Sequence, residues 1–76
     1  VPQPTLSQLG AAIRALREER ALSIEALAGE AKLHTVSVSR IENGKQNLTW
    51  MALSSLAAVL EVEILDLVQL ATEQPA

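Results

Sequence analysis

Four times along this chain an apolar residue stands just ahead of a helix-starting position and is answered by another apolar residue five places later. Leu22 and Leu27 flank Ser23 in this way, Leu33 and Val38 flank His34, Leu48 and Leu53 flank Thr49, and Val62 precedes Leu67. This is the spacing of the hydrophobic staple, in which the residue before the N-cap packs on the fourth helical residue and fixes the path of the chain into the helix. Staples set this close together leave room only for short helices joined by tight connections.

The remaining patterns agree. Leu6, Leu9, Ile13 and Leu16 recur at three and four residues, and Thr5 with Gln8 has the form of a capping box, so a first helix is expected over about 6–20. Ser23 starts a second over about 24–31, and His34 precedes a third over about 35–43, closed by Asn43 and Gly44, which tolerate a left-handed backbone. The fourth spans about 50–60 with Leu53, Leu56, Ala57 and Leu60 on its inner face, and the fifth about 64–71. No strand signal interrupts them. The expectation is an all-α fold in a single domain, residues 1–76. A chain of this length buries only about 60% of the surface it exposes when unfolded, so the core must be compact. Trp50, the only aromatic residue, is expected to be the large piece of that core.

Composition narrows the function. A deep catalytic cavity is not expected in 76 residues, and the chain is not expected to be an enzyme. Without cysteine there is no disulfide scaffold or thiolate zinc site, which fits a cytoplasmic protein, and one histidine cannot build a site of several imidazoles. His34 and Ser37 lie one turn apart, but no orienting acid accompanies them, so they read as a helix cap and a polar surface residue rather than a hydrolytic pair. No secretory signal is expected. The apolar run from Trp50 to Ala71 is broken by Glu61, Glu63 and Asp66, so no membrane span is expected either. Neither cofactor, metal nor small-molecule ligand is expected.

The net charge of −3 is unevenly spread. All six basic residues fall in the first 45 positions against five acids, giving +1, whereas the remaining 31 positions hold four acids and no base. Either the basic half meets an acidic partner or, with only fifteen charges, the asymmetry is accidental. The charge balance leaves both readings open.

The segment HTVSVSRIENGK, residues 34–45, is more informative. Only about three residues, 32–34, separate the second and third helices, the length of the turn in a helix-turn-helix unit. Val38 and Ile41 should face inward, which leaves Thr35, Val36, Ser39, Arg40 and Asn43 outward. Val36 can be read as the edge of the core or as a contact to a thymine methyl. Short side chains at the start of the helix permit close approach to a groove, and Arg40, one turn on, can present two donors to guanine O6 and N7.

At these residues the chain resembles a known family. LSIEALAGEAKLHTVSVSRIENGK followed by NLTWMALSSLAAVLEV is similar to the Cro/C1 repressor type (XRE-like) of helix-turn-helix domain, through the Leu27-Ala28 pair, the stop from Ile41 to Gly44 and the helix start after it, over about residues 6–70. The resemblance implies a five-helix, lambda-repressor-like domain that binds operator DNA as a homodimer, with the third helix in the major groove. It assigns base reading to Thr35, Val36, Ser39 and Arg40, and places Ser23, Ser37, Asn43 and Lys45 at or near phosphates, with His34 as a cap or phosphate neighbour. Arg17 and Glu42 fall where the family commonly has a structural ion pair. Lys32 and Glu61 stand where it often has Gly, so distortion is expected at both junctions, and Ile24 replaces a Gln that reaches phosphate.

The C-terminal segment VEILDLVQLA holds more apolar surface than one short helix can bury. Val62 and Leu67 are assigned to the fold, and Ile64, Leu65 and Val68 to a patch shared between two copies. The alternative to a DNA-binding regulator is a helix-turn-helix protein-interaction module, antitoxin-like or adaptor, whose working surface is the acidic C-terminal half.

Overall fold

A computed structural model of the chain describes residues 3–75, and among them are five α-helices: α1 (Leu6–Glu19), α2 (Ile24–Ala31), α3 (Thr35–Glu42), α4 (Trp50–Val59) and α5 (Ile64–Thr72). Every boundary lies within one residue of its sequence expectation. At the start of α1 the Thr5 N–H donates to Gln8 Oε1 at 2.9 Å while Thr5 Oγ1 accepts from Gln8 N at 3.1 Å, closing a reciprocal capping box. Ser23 and Thr49 cap α2 and α4 by accepting from Ala26 N and Ala52 N at 3.0 and 3.1 Å. His34 and Glu63 occupy the N-cap positions of α3 and α5 without a side-chain capping bond.

The helix stops explain how the turns can be so short. Ala21, Lys32, Gly44 and Glu61 have φ of 56, 59, 69 and 58°, and each is followed by a residue whose N–H reaches five residues back. These bonds run from Leu22 N to Arg17 O, Leu33 N to Ala28 O, Lys45 N to Arg40 O and Val62 N to Ala57 O, all at 2.9 to 3.0 Å. They close the left-handed stop of a Schellman motif. Leu22, Leu33 and Val62 thus serve twice, as the apolar residue that follows one helix and as the first member of the staple that begins the next. Their staple partners Leu27, Val38 and Leu67 are fully buried. The distortion expected at Lys32 and Glu61 does not occur. Both take the left-handed conformation a Gly would take, at a cost of about 1 kcal/mol each, and the bonds of the motif form around them.

The core joins Ala12 and Ile13 of α1, Leu27, Ala28 and Ala31 of α2, Val38 and Ile41 of α3, Leu56, Ala57 and Leu60 around α4, and Leu67 and Ala71 of α5. α1 packs on α3 and α5, and α4 on α2 and α5. Gly10 sits where α1 crosses the end of α3: a Cβ there would lie 2.2 Å from the Ile41 carbonyl oxygen and 2.6 Å from that of Glu42. Only a glycine permits this approach.

Trp50 corrects the sequence expectation. It is 66% exposed and contributes little to the core. It is in phase with Leu53 on the inner stripe but is the first residue of α4, and helical Cα–Cβ bonds tilt toward the N-terminus. A side chain in that position projects off the end of the helix, beyond the core that the same phase would reach one turn later.

Candidate nucleic-acid interface

α2, the turn at Lys32 to His34 and α3 form a helix-turn-helix unit, held inward by Leu27, Ala28, Val38 and Ile41. With Val38, Ile41 and Glu42 buried, the opposite side of α3 is presented outward. Thr35, Val36 and Arg40 are exposed there, and Ser37 and Ser39 are half-buried. Val36 is 62% exposed, which decides between its two readings: it is a surface residue, free to meet another molecule.

The residues assigned to phosphate border this face. Ser23 accepts from Ala26 N, which leaves its hydroxyl hydrogen available as a donor. The exposed His34 makes no capping bond, so the first-turn N–H groups of α3 are not engaged by its side chain. Lys45 is exposed just beyond the helix stop. Asn43 is exposed as well, but its Nδ2 donates to Ser39 O at 2.8 Å, so part of its capacity satisfies a carbonyl at the end of its own helix. Ile24 is half-buried against the core.

The ion pairs sort the six basic residues into two groups. Arg14 lies 3.5 Å from Glu18, Arg17 pairs with Glu42, and Arg20 pairs with Glu61. Among the described residues, Lys32, Arg40 and Lys45 have no carboxylate partner, and all three are exposed on or next to the helix-turn-helix unit. The sequence count of +1 for the first 45 residues hides this separation.

Glu42 is the only buried charged residue among those described, and it is fully engaged. Arg17 Nε donates to Glu42 Oε2 at 2.7 Å and Arg17 Nη2 to Glu42 Oε1 at 3.1 Å, while Arg17 Nη1 donates to Leu22 O at 2.8 Å. The hydrogen bonds to Glu42 raise the Arg17 pKa above its usual 12.5, against the opposing effect of desolvation. Among the described residues no buried side-chain nitrogen or oxygen lacks a partner. The same residues enclose no pocket and gather no group of acids and histidine able to hold a metal.

At the C-terminal end, α5 turns Leu67 and Ala71 inward and packs Ile64 and Leu70 against the core. Leu65 is 82% exposed, and Val68, one turn on, is half-buried. Of the three residues assigned to a shared patch, Ile64 is thus committed mainly to the fold and Leu65 is the most available. Sequence reasoning missed Trp50 and Met51, which are 66 and 74% exposed. The signal that could have found them is the composition of α4, WMALSSLAAV, a surface helix with no charged residue.

These features define a five-helix domain whose helix-turn-helix unit presents the outer side of α3. A family model described as a helix-turn-helix domain matches residues 8–70, and the chain belongs to that family. No match is found among curated protein sequences. Among solved structures, it is similar to the restriction-modification controller protein C.AhdI from Aeromonas hydrophila, at 32% identity over 82% of this chain and 94% of that one, with a TM-score of 0.80. The clp gene regulator ClgR from C. glutamicum is 26% identical over 100% of this chain and 99% of its own, with a TM-score of 0.89. SinR, a master regulator for biofilm formation solved in complex with DNA, is 32% identical over 78% of this chain and 95% of its own, with a TM-score of 0.74. The fold is that of helix-turn-helix regulators. No helix among the described residues is long and apolar enough to cross a membrane.

Proposed function

We propose that this chain is a sequence-specific transcriptional regulator that binds operator DNA as a homodimer, with α3 in the major groove. Thr35, Val36, Ser39 and Arg40 read base edges, Arg40 through its two-pronged guanidinium. Ser23, His34, Ser37, Asn43 and Lys45 set the register on phosphates, aided by the free N–H groups at the start of α3. The observation that carries the reading is the separation of charge: the three cations without an acidic partner, Lys32, Arg40 and Lys45, all lie on or beside this unit. Membership of the helix-turn-helix family and likeness to SinR, itself solved with DNA, support it. Exposed Leu65 supports self-association through the C-terminal half.

The test is the salt dependence of binding to a duplex selected from a random pool. Two protomers with two or three phosphate-facing cations each neutralise about four to six charges, so log K should fall against log salt with a slope of about −4 to −5. Binding indifferent to salt would overturn the proposal and favour the adaptor reading.

A further inference from the structure

The outer face of α4 has no charge and no partner within the chain. Leu53, Leu56, Ala57 and Leu60 turn inward, and the opposite stripe, two residues out of step, is Met51, Ser54, Ser55 and Ala58, with Trp50 at its head. None of the ten residues of α4 is charged. A solvated helix of a small domain ordinarily covers its outer side with Lys, Glu or Arg, and one that is uncharged all round is normally enclosed. Here the outer side instead exposes the two largest side chains of the helix.

We infer that this face of α4 is the centre of the contact with a second copy of the chain, and that Leu65 of α5 lies at its edge. The inference rests on the dimeric regulator proposed above and locates its two-fold axis. An isologous contact sets each residue near its own symmetry mate, so any charge at the centre meets its like. The outer side of α5 has that defect, because Leu65 stands between exposed Glu63 and Asp66. The outer side of α4 does not. Interface centres are depleted in charge and enriched in Trp and Met, whereas small residues such as Ser54, Ser55 and Ala58 let two helices approach closely. A stable contact needs about 800 Å² from each copy, roughly a sixth of the 4828 Å² this chain exposes. The α4 stripe supplies the apolar middle of such an area, and Glu61, Glu63 and Asp66 its acidic rim.

Trp50 is the only aromatic residue and so reports on its own surroundings. Sedimentation equilibrium and Trp50 emission are followed on the full chain from sub-micromolar to tens of micromolar, for wild type, Met51→Glu and Leu65→Glu. The expected result is a wild-type dimer whose emission moves to shorter wavelength over the range in which it forms. Met51→Glu should weaken the dimer more than tenfold, Leu65→Glu should weaken it less, and both should keep wild-type helical circular dichroism because both positions are exposed. A monomer throughout, emission that ignores dimerisation, or a Met51→Glu variant that dimerises like wild type would each overturn the inference. So would a duplex-induced emission shift in monomeric Met51→Glu, which would set Trp50 against DNA. Failure to bind any selected duplex while the dimer behaves as stated would defeat the regulator reading and leave the α4 contact standing.

Discussion

Replacing Glu42 with Gln keeps the shape of the buried pair and removes its negative charge. The side chains of Arg17 and Glu42 are only 11% and 3% exposed, so water cannot take over the lost interaction. One of the two guanidinium bonds would then meet an amide NH₂, donor against donor, and the Arg17 charge would lie half-stripped of water with only the Leu22 carbonyl remaining. Removing one member of a buried ion pair costs about 3 to 5 kcal/mol, and the retained Leu22 bond argues for the lower end. A 76-residue domain has roughly 4 to 11 kcal/mol in total. A loss of about 3 kcal/mol should therefore lower Tm by roughly 12 to 24 °C, at 4 to 8 °C for each kcal/mol. Thermal unfolding followed by circular dichroism measures this directly. The raised pKa of Arg17 gives a control: its stabilisation is fully present below 12.5 and is lost only as pH rises through the higher folded value, so between neutral and mildly alkaline pH the difference between wild type and variant should stay constant. An unchanged midpoint for Glu42→Gln would refute the reasoning, because it would mean that the pair is solvated or absent in solution. A double variant, Arg17→Met with Glu42→Leu, should recover much of the loss, since an apolar pair of similar volume leaves no unpaired charge.

Gly10→Ala should destabilise the domain by about 1 to 3 kcal/mol in denaturant titration, although Ala is the better helix former, because its Cβ would strike two backbone carbonyls at the end of α3. Lys32→Gly should separate folding from binding: it relieves a left-handed stop worth up to about 1 kcal/mol and removes a free cation, so Tm should rise or hold while the salt slope of duplex binding becomes shallower. Arg40→Ala should cost about 1 to 3 kcal/mol on the preferred duplex and relax selection at one base position; equal weakening on every duplex would make Arg40 a phosphate contact instead.

The features legible in the sequence were those whose partners lie within one helical turn or one staple. Ser23 and Thr49 announced helix starts because a cap bonds to a backbone N–H three residues away, and Val38 and Ile41 announced the inner side of α3 by their spacing. The left-handed stop at Ala21 left no such mark, since nothing in an Ala signals positive φ. Gly10 was equally silent, because its neighbour is the end of α3, some thirty residues further along the chain. At the candidate interface, the outward residues followed from periodicity, but which cations are free did not. Arg20 is neutralised by Glu61, 41 residues away, and only the folded chain brings them together. Asn43 was read as outward, and it is, but its side chain turns back to a carbonyl of its own helix, a choice the sequence leaves undetermined.

The way α3 is held connects these details. Nearly every specific attachment falls at its C-terminal end: Glu42 is gripped by Arg17, the Ile41 and Glu42 carbonyls lie against Gly10, and Gly44 sits so close to Ser7 that a Cβ there would come within 2.6 Å of its hydroxyl. All three contacts come from α1. The N-terminal end, from His34 to Ser37, has no side-chain cap and is positioned by the Leu33 and Val38 staple alone. A helix fixed firmly at one end and exposed at the other presents its first turn as a probe with a defined direction, and its free N–H groups point the same way. Gln8 extends the scaffold, because its Oε1 closes the cap of α1 while its Nε2 donates to Gln74 O at 2.9 Å, beyond the end of α5. α1 thereby ties the orientation of α3 to the C-terminal half, so that a contact between two copies made on that half sets the spacing of two α3 helices through rigid packing rather than through a loop.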